Sequence, residues 1–264
     1  MAAEIKVIVS GALGKMGQQT AQAVHQDEEL KLVGLIDVRA REGQTSGTAG
    51  HLPLQPENDL EAWLERFPAD VMIDFTNPQA VYNNAKIALQ HKVNCVIGTT
   101  GLNEVELKHL ERLALENEVG VAVIPNFAIG AVLMMKLAQE AACYFPDVEI
   151  IELHHDQKMD APSGTAIKTA EMIAERRQAR PPRSSLELEK IAGARGGEMK
   201  GIRIHSVRLP GFVAHQEIIF GGVGQTLTIR HDSLDRVGFM PGVVMTVKKI
   251  IGIKGLIYGL EKFL

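Results

Sequence analysis

The stretch Ile5-Lys6-Val7-Ile8-Val9-Ser10-Gly11-Ala12-Leu13-Gly14-Lys15-Met16-Gly17 decides the fold. Its first six residues are a short, β-branched run of the kind that becomes a strand buried on both faces of a parallel sheet. Glycines then interrupt it, and residues 18–25 follow in a helical pattern. Strand, glycine turn and helix form the context a dinucleotide fingerprint requires, because glycine lets the backbone turn sharply and approach a pyrophosphate seated on the helix N-terminus. The spacing is Gly-x-x-Gly-x-x-Gly rather than Gly-x-Gly-x-x-Gly, which weakens the motif taken alone.

The next strand is predicted over 30–36 and ends at Asp37, twenty residues past Gly17 (37 − 17). At that interval an acid bonds the ribose hydroxyls of an adenosine. A lone Asp at a strand end is an ordinary turn residue; the conjunction of strand, glycines, helix, strand and acid favours a cofactor. Asp37 suits an unmodified 2′-hydroxyl, whereas Lys15, Arg39 and Arg41 suit a 2′-phosphate, so both NADH and NADPH are expected to be accepted.

Strands and helices keep alternating. Strands are predicted over 71–75, 93–97 and 119–124, and helices over 59–67, 80–90 and up to about 117, with a loop over 43–58. Five strand–helix alternations imply a right-handed, doubly wound parallel sheet, in which ligands bind beyond the carboxyl ends of the strands. Gly11, Ala12, Leu13, Gly14, Lys15, Met16, Asp37, Arg39, Gly98, Thr99, Thr100, Ile124, Pro125, Asn126 and Phe127 are therefore candidates to hold the dinucleotide, with Phe75 and Thr76 converging on the same crevice.

Beyond 127 the pattern changes. Residues 128–145 are apolar nearly all round and predict a helix buried between layers or domains. Then comes Glu149-Ile150-Ile151-Glu152-Leu153-His154-His155-Asp156-Gln157-Lys158-Met159-Asp160-Ala161-Pro162-Ser163-Gly164-Thr165-Ala166. It opens as a strand expected to set Glu149, Glu152 and His154 on one face, and a helix begins near Ser163. Two imidazoles, the movable ammonium of Lys158 and the donors of a helix N-terminus are thus gathered within a dozen residues. Such a set suits protonation of a small anionic substrate. A His-His pair at a strand end is as readily structural, and Ser163 is as readily an N-cap. Residues 176–185 and 192–201 read as loops. Strands over 202–209, 214–220 and 225–231 without intervening helices mark a second domain, and 236–252 a closing helix interrupted near Pro241. The fold class is therefore α/β: an N-terminal Rossmann-like parallel sheet (1–127, with 238–264 packing back on it) plus an α+β domain with a mixed or antiparallel sheet (128–237).

Composition narrows the field. Of 264 residues, 45% are hydrophobic and 23% charged, ordinary for a globular chain, and a net charge of -4 gives no general attraction to nucleic acid or to anionic membranes. No run approaches the roughly 18 apolar residues of a membrane span. Two cysteines, Cys95 and Cys143, both in apolar segments, point to a reducing compartment, and the chain is expected to be cytoplasmic. No metal is expected: His154 and His155 are strand neighbours that face opposite ways and cannot easily chelate one ion.

With the glycine turn and Val-Ile-Gly-Thr-Thr-Gly at 96–101, the run from His154 to Ala166 resembles the dihydrodipicolinate reductase family over essentially the whole chain. Asn126-Phe127, Ser206-Val207-Arg208-Leu209-Pro210-Gly211 with His215, and Arg236 carry the likeness further. The resemblance implies NADPH- or NADH-dependent reduction of a cyclic imine dicarboxylate, (2S,4S)-4-hydroxy-2,3,4,5-tetrahydrodipicolinate, with loss of water, in the diaminopimelate route to lysine. It implies that His154 is the acid/base residue and Lys158 the proton donor, that His155, Ser163, Gly164 and Thr165 bind substrate, and that the chain is a homotetramer. Asn77 and Val38 depart from the family's pattern and bear on the phosphate preference, not the reaction. Two rivals remain. A dinucleotide-sensing protein would need no Lys158 beside paired histidines. A semialdehyde dehydrogenase would need a nucleophilic cysteine near the nicotinamide, and neither cysteine sits in such a turn.

Overall fold

A computed structural model describes residues 4–41, 54–178 and 188–264. Most of the loop expected over 43–58 and part of the basic run 176–185 lie outside them. The chain divides into two compact units, one of Met1–Ile129 with Phe239–Leu264, the other of Gly130–Gly238.

In the first unit the order is β1 (Ile5–Ser10), α1 (Lys15–Gln26), β2 (Leu30–Ile36), α2 (Leu60–Arg66), β3 (Val71–Asp74), α3 (Val81–Gln90), β4 (Asn94–Ile97), α4 (Glu104–Glu116) and β5 (Gly120–Val123). These strands form one parallel sheet, and Val7, Ile8 and Val9 of β1 are fully buried in it, as a strand covered on both faces must be. Helix starts follow local chemistry. Asp59 accepts the Ala62 N–H at 3.0 Å, and Asn103 with Glu106 forms a capping box at the head of α4. In β2, Gly34 leaves room for an indole: a Cβ there would lie 2.6 Å from the Trp63 ring.

The second unit contains α5 (Ile129–Ala141, whose first residue belongs to the first unit), β6 (Asp147–His154), α6 (Gly164–Arg176), β7 (Gly197–Met199), β8 (Ile202–Arg208), β9 (Ala214–Gly222) and β10 (Gln225–Ser233). Its sheet runs β10-β9-β6-β8-β7 and is mixed, β6 and β8 being parallel and the other pairs antiparallel. The chain then rejoins the first unit through a 3-10 turn at Arg236–Phe239, α7 (Met240–Ile250) and β11 (Gly255–Tyr258). Pro241 sits in the first turn of α7, where its missing N–H costs nothing. β11 pairs in parallel with β5, completing the six-stranded order β11-β5-β4-β3-β1-β2.

The tail joins the first unit, where it forms an edge strand of the sheet. Three expectations need correction. Part of the glycine-rich loop at 192–201 is the short strand β7, because its backbone finds Ile202–Ile204 to pair with. α5 is not buried all round: Leu133 and Leu137 are exposed on the face that also carries Lys136 and Glu140. Lastly, Glu149 does not share a face with Glu152 and His154. Alternation along a strand sends 149 one way and 152 and 154 the other, and Glu149 pairs instead with His205 at 2.9 Å and with Arg195.

Candidate functional site

Two sets of candidate residues are built at strand ends, one in each unit. In the first unit, Gly11 turns with φ +80°, and a Cβ on it would meet the Phe75 carbonyl oxygen at 2.4 Å. Gly17 is more confined, since a Cβ there would lie 2.1 Å from the Gly11 carbonyl oxygen. The glycines therefore let the turn fold tightly over the end of β3. Gly11 and Ala12 donate to the Ile36 carbonyl at 2.8 and 3.1 Å, and Leu13 N–H donates to Asp37 Oδ2 at 2.9 Å, which draws the ends of β1 and β2 together. Gly14 starts α1 in extended conformation with no side-chain cap, the first turn carries no acid, and Lys15 is exposed. A dinucleotide pyrophosphate fits a helix start of that kind.

Asp37 is almost fully buried, and Arg39 grips it with Nε and Nη2, both at 2.9 Å. Burial pushes the Asp37 carboxyl up, but hydrogen bonds from Arg39 and Leu13 outweigh it and hold the group below the ordinary carboxylate range. Next along the carboxyl edge, Thr99 donates to Asp74 Oδ1 at 2.7 Å, and Gly98 lies against the Phe75 ring, which a Cβ would meet at 2.1 Å. Phe75 in turn contacts Phe127 at 5.6 Å between ring centroids, Ile124 N–H donates to the Ile97 carbonyl, and Asn126 accepts the Ala128 N–H. The structure thus brings Gly11–Gly17, Asp37, Gly98–Thr99 and Ile124–Phe127 to one edge of the sheet; Pro125 and Thr100 are exposed there. Sequence reasoning missed Asp74, a fully buried carboxylate that also accepts from Thr76 and Asn84 and so fixes both neighbouring turns.

In the second unit β6 ends in the other set. His154 Nδ1 lies 2.5 Å from Glu152 Oε2, and Glu152 is completely buried. Arg208, opposite His154 on β8, grips the same carboxylate with Nη1 at 2.8 Å and Nη2 at 2.7 Å. Burial pushes the Glu152 carboxyl up, yet hydrogen bonds from His154, Arg208 and Ser206 prevail and hold it at about 2. Ser163 N–H also reaches Glu152 at 3.2 Å, while the Ser163 hydroxyl caps α6 at Ala166 N. Gly164 is exposed, with nothing within 4 Å of the place a Cβ would take, and Thr165 is half-buried beside it. His155 is exposed, one residue past the end of β6. Lys158 is not a loose ammonium: Asp160 holds it at 2.7 and 2.9 Å. Sequence reasoning missed Glu152 and Arg208 as site residues. For Glu152 the signal was there, since it stands two residues before His154 and so on the same face.

Family models described as the N-terminus and the C-terminus of dihydrodipicolinate reductase match residues 5–127 and 130–264.

The chain belongs to the dihydrodipicolinate reductase family.

Members of the family are NAD(P)H-dependent oxidoreductases. The chain is 64% identical to 4-hydroxy-tetrahydrodipicolinate reductase of Syntrophomonas wolfei, with all of both chains covered, and 53% identical to that of Desulfitobacterium hafniense, with 99% of each covered. Among solved structures it is similar to a dipicolinate-bound dihydrodipicolinate reductase from Paenisporosarcina sp. TG-14, at a TM-score of 0.88, with 48% identity over 99% of this chain and 100% of that one. The amine dehydrogenase of Mycobacterium smegmatis, at 15% identity and a TM-score of 0.67, shares the fold alone. No helix among the described residues is long and apolar enough to cross a membrane.

Proposed function

We propose that this chain reduces (2S,4S)-4-hydroxy-2,3,4,5-tetrahydrodipicolinate to (S)-2,3,4,5-tetrahydrodipicolinate with loss of water, as a cytoplasmic enzyme of diaminopimelate and lysine synthesis. The observation that carries the reading is the end of β6. There an imidazole backed by a buried carboxylate stands beside a helix N-terminus whose first residues, Gly164 and Thr165, are open to an anion. A dicarboxylate substrate supplies that anion, and a ring gaining electron density needs an acid within reach. His154 is read as the acid/base residue and Lys158 as the proton donor, released from Asp160 when substrate binds. His155, Ser163, Gly164 and Thr165 hold the substrate.

Bound NADPH or NADH supplies the hydride. The chain's own part is to hold the dinucleotide with Gly11, Ala12, Leu13, Gly14, Lys15, Met16, Asp37, Arg39, Gly98, Thr99, Thr100, Ile124, Pro125, Asn126 and Phe127. The Asp37–Arg39 pair supports use of both cofactors: the carboxylate suits ribose hydroxyls, and the guanidinium, once released, suits a 2′-phosphate. A homotetramer joined through the second unit's sheet completes the reading. Its support is that Ile151, Leu153, Leu227 and Ile229 remain only half-buried within one chain.

The test is a spectrophotometric assay of NADPH and NADH oxidation on freshly generated cyclic substrate. His154→Ala and Lys158→Ala should each lower kcat by about 100-fold or more, with dinucleotide affinity near wild type. Turnover unchanged in both variants would overturn the assignment.

A further inference from the structure

We infer that Glu152 is a positioning residue for this reaction: it fixes which nitrogen of His154 carries the proton, and it sets that ring relative to the substrate-binding start of α6. The inference rests on the proposed acid/base role of His154 and goes beyond it.

The geometry leaves Glu152 little freedom. Its carboxylate has about four acceptor positions, and donors from Arg208, Ser163, His154 and Ser206 crowd them. Oε1 accepts from Arg208 Nη2 at 2.7 Å and from Ser163 N–H at 3.2 Å; Oε2 accepts from Arg208 Nη1 at 2.8 Å and faces His154 Nδ1 at 2.5 Å. Arg208 is itself fixed, donating to the Asp160 and Val207 carbonyls at 2.8 and 2.7 Å. The carboxylate is completely buried, so water does not compete for these positions.

An ionised carboxylate only accepts hydrogen bonds. With Glu152 held ionised far below neutral pH, the nitrogen facing it must be the one bearing hydrogen. Neutral His154 therefore carries its proton on Nδ1 and turns the lone pair of Nε2 outward, and protonated His154 offers Nε2–H there. This is the general logic by which a second partner sets the tautomer of a working imidazole. The same carboxylate accepts the Ser163 N–H. One group thus places both the imidazole and the backbone donors that follow it, and a shift of Glu152 would move acid and anion site together.

The experiment compares Glu152→Gln and Glu152→Asp with His154→Ala, reading steady-state kinetics, NADPH affinity and the ring-nitrogen spectrum of uniformly 15N-labelled histidine, with His154 assigned by its absence from His154→Ala. In the wild type the neutral ring should be a single tautomer protonated at Nδ1. Glu152→Gln presents an amide that either donates or accepts, so the tautomers should mix and kcat should fall at least about 10-fold, with NADPH affinity within about twofold of wild type. Glu152→Asp keeps the charge, and should retain the tautomer and recover part of kcat. A wild-type ring protonated at Nε2, or Glu152→Gln with unchanged kcat and tautomer while His154→Ala is inactive, would overturn the inference. Equal losses of kcat in both Glu152 variants with an unchanged tautomer would also overturn it, by reducing Glu152 to a support of the fold. The nitrogen spectrum requires no turnover, so it decides the tautomer even if His154→Ala stays active, a result that overturns the parent reading instead.

Discussion

Helices α1 and α6 each follow a strand and a turn, and both present their first N–H groups toward an expected anion, but they are built in opposite ways. α1 starts at a glycine with no capping side chain, behind a turn folded so tightly that Gly17 has no space for a methyl group. α6 starts at Ser163, whose hydroxyl caps the helix and whose own N–H is tied to buried Glu152. Each construction suits a different ligand. A pyrophosphate spread along the backbone needs close approach and bare donors. A small carboxylate beside an acid needs a helix start fixed to that acid.

Of the two helix starts, that of α1 is most vulnerable at Gly17. In Gly17→Ala the new Cβ would press on backbone at Gly11 and Ala12, which cannot yield as a flexible side chain does. Overpacking of roughly 1–3 kcal/mol should open the turn and weaken NADPH binding by about 10- to 100-fold. Fluorescence titration would measure it, while the His154 ring spectrum should be unaltered. Affinity within twofold of wild type would remove the tight turn from the account.

A second test addresses the anchoring of α6. The Glu152 carboxyl sits at about 2 when folded, against an ordinary 4.5, so its stabilisation is fully present above pH 4.5 and is lost as pH falls toward 2. The contribution is on the order of 3 kcal/mol. Urea unfolding of wild type and Glu152→Gln across that window should show their stabilities converging as the solution becomes more acidic. A constant gap would contradict the ionised, hydrogen-bonded carboxylate.

The smallest pair of changes exchanges the two designs. Ser163→Ala removes the α6 cap and should cost about 1 kcal/mol with NADPH affinity intact. Gly14→Ser adds a cap to α1 but sets its Cβ 3.2 Å from the Gly11 carbonyl oxygen, so stability should stay within about a few tenths of a kcal/mol of wild type while NADPH affinity falls, because the new oxygen occupies donors meant for the pyrophosphate. Thermal unfolding beside fluorescence titration reads both, and parallel behaviour of the two variants would erase the distinction.

Much of this was legible in the chain itself. β1, the glycine turn and Asp37 declare themselves because their signals are local: buried β-branched residues, residues without Cβ, and an acid at a fixed interval. β7 and β11 were less readable. Each is a short edge strand of three or four residues, and pairing with a distant neighbour, not side-chain pattern, makes it a strand. The Glu152–Arg208 pair spans 56 positions, and no local rule joins such partners. Alternation within β6 did join Glu152 to His154, and the same rule, applied strictly, separates Glu149 from them.

β11 has one further consequence. Until Tyr258 has left the ribosome, β5 is the outermost strand of an unfinished sheet, its backbone donors and acceptors exposed along one side. Open strand edges invite association between chains during synthesis. The unit translated first is thus the last to be sealed, and a fragment made from residues 5–127 alone would be born with a sticky margin that only the returning tail can cover.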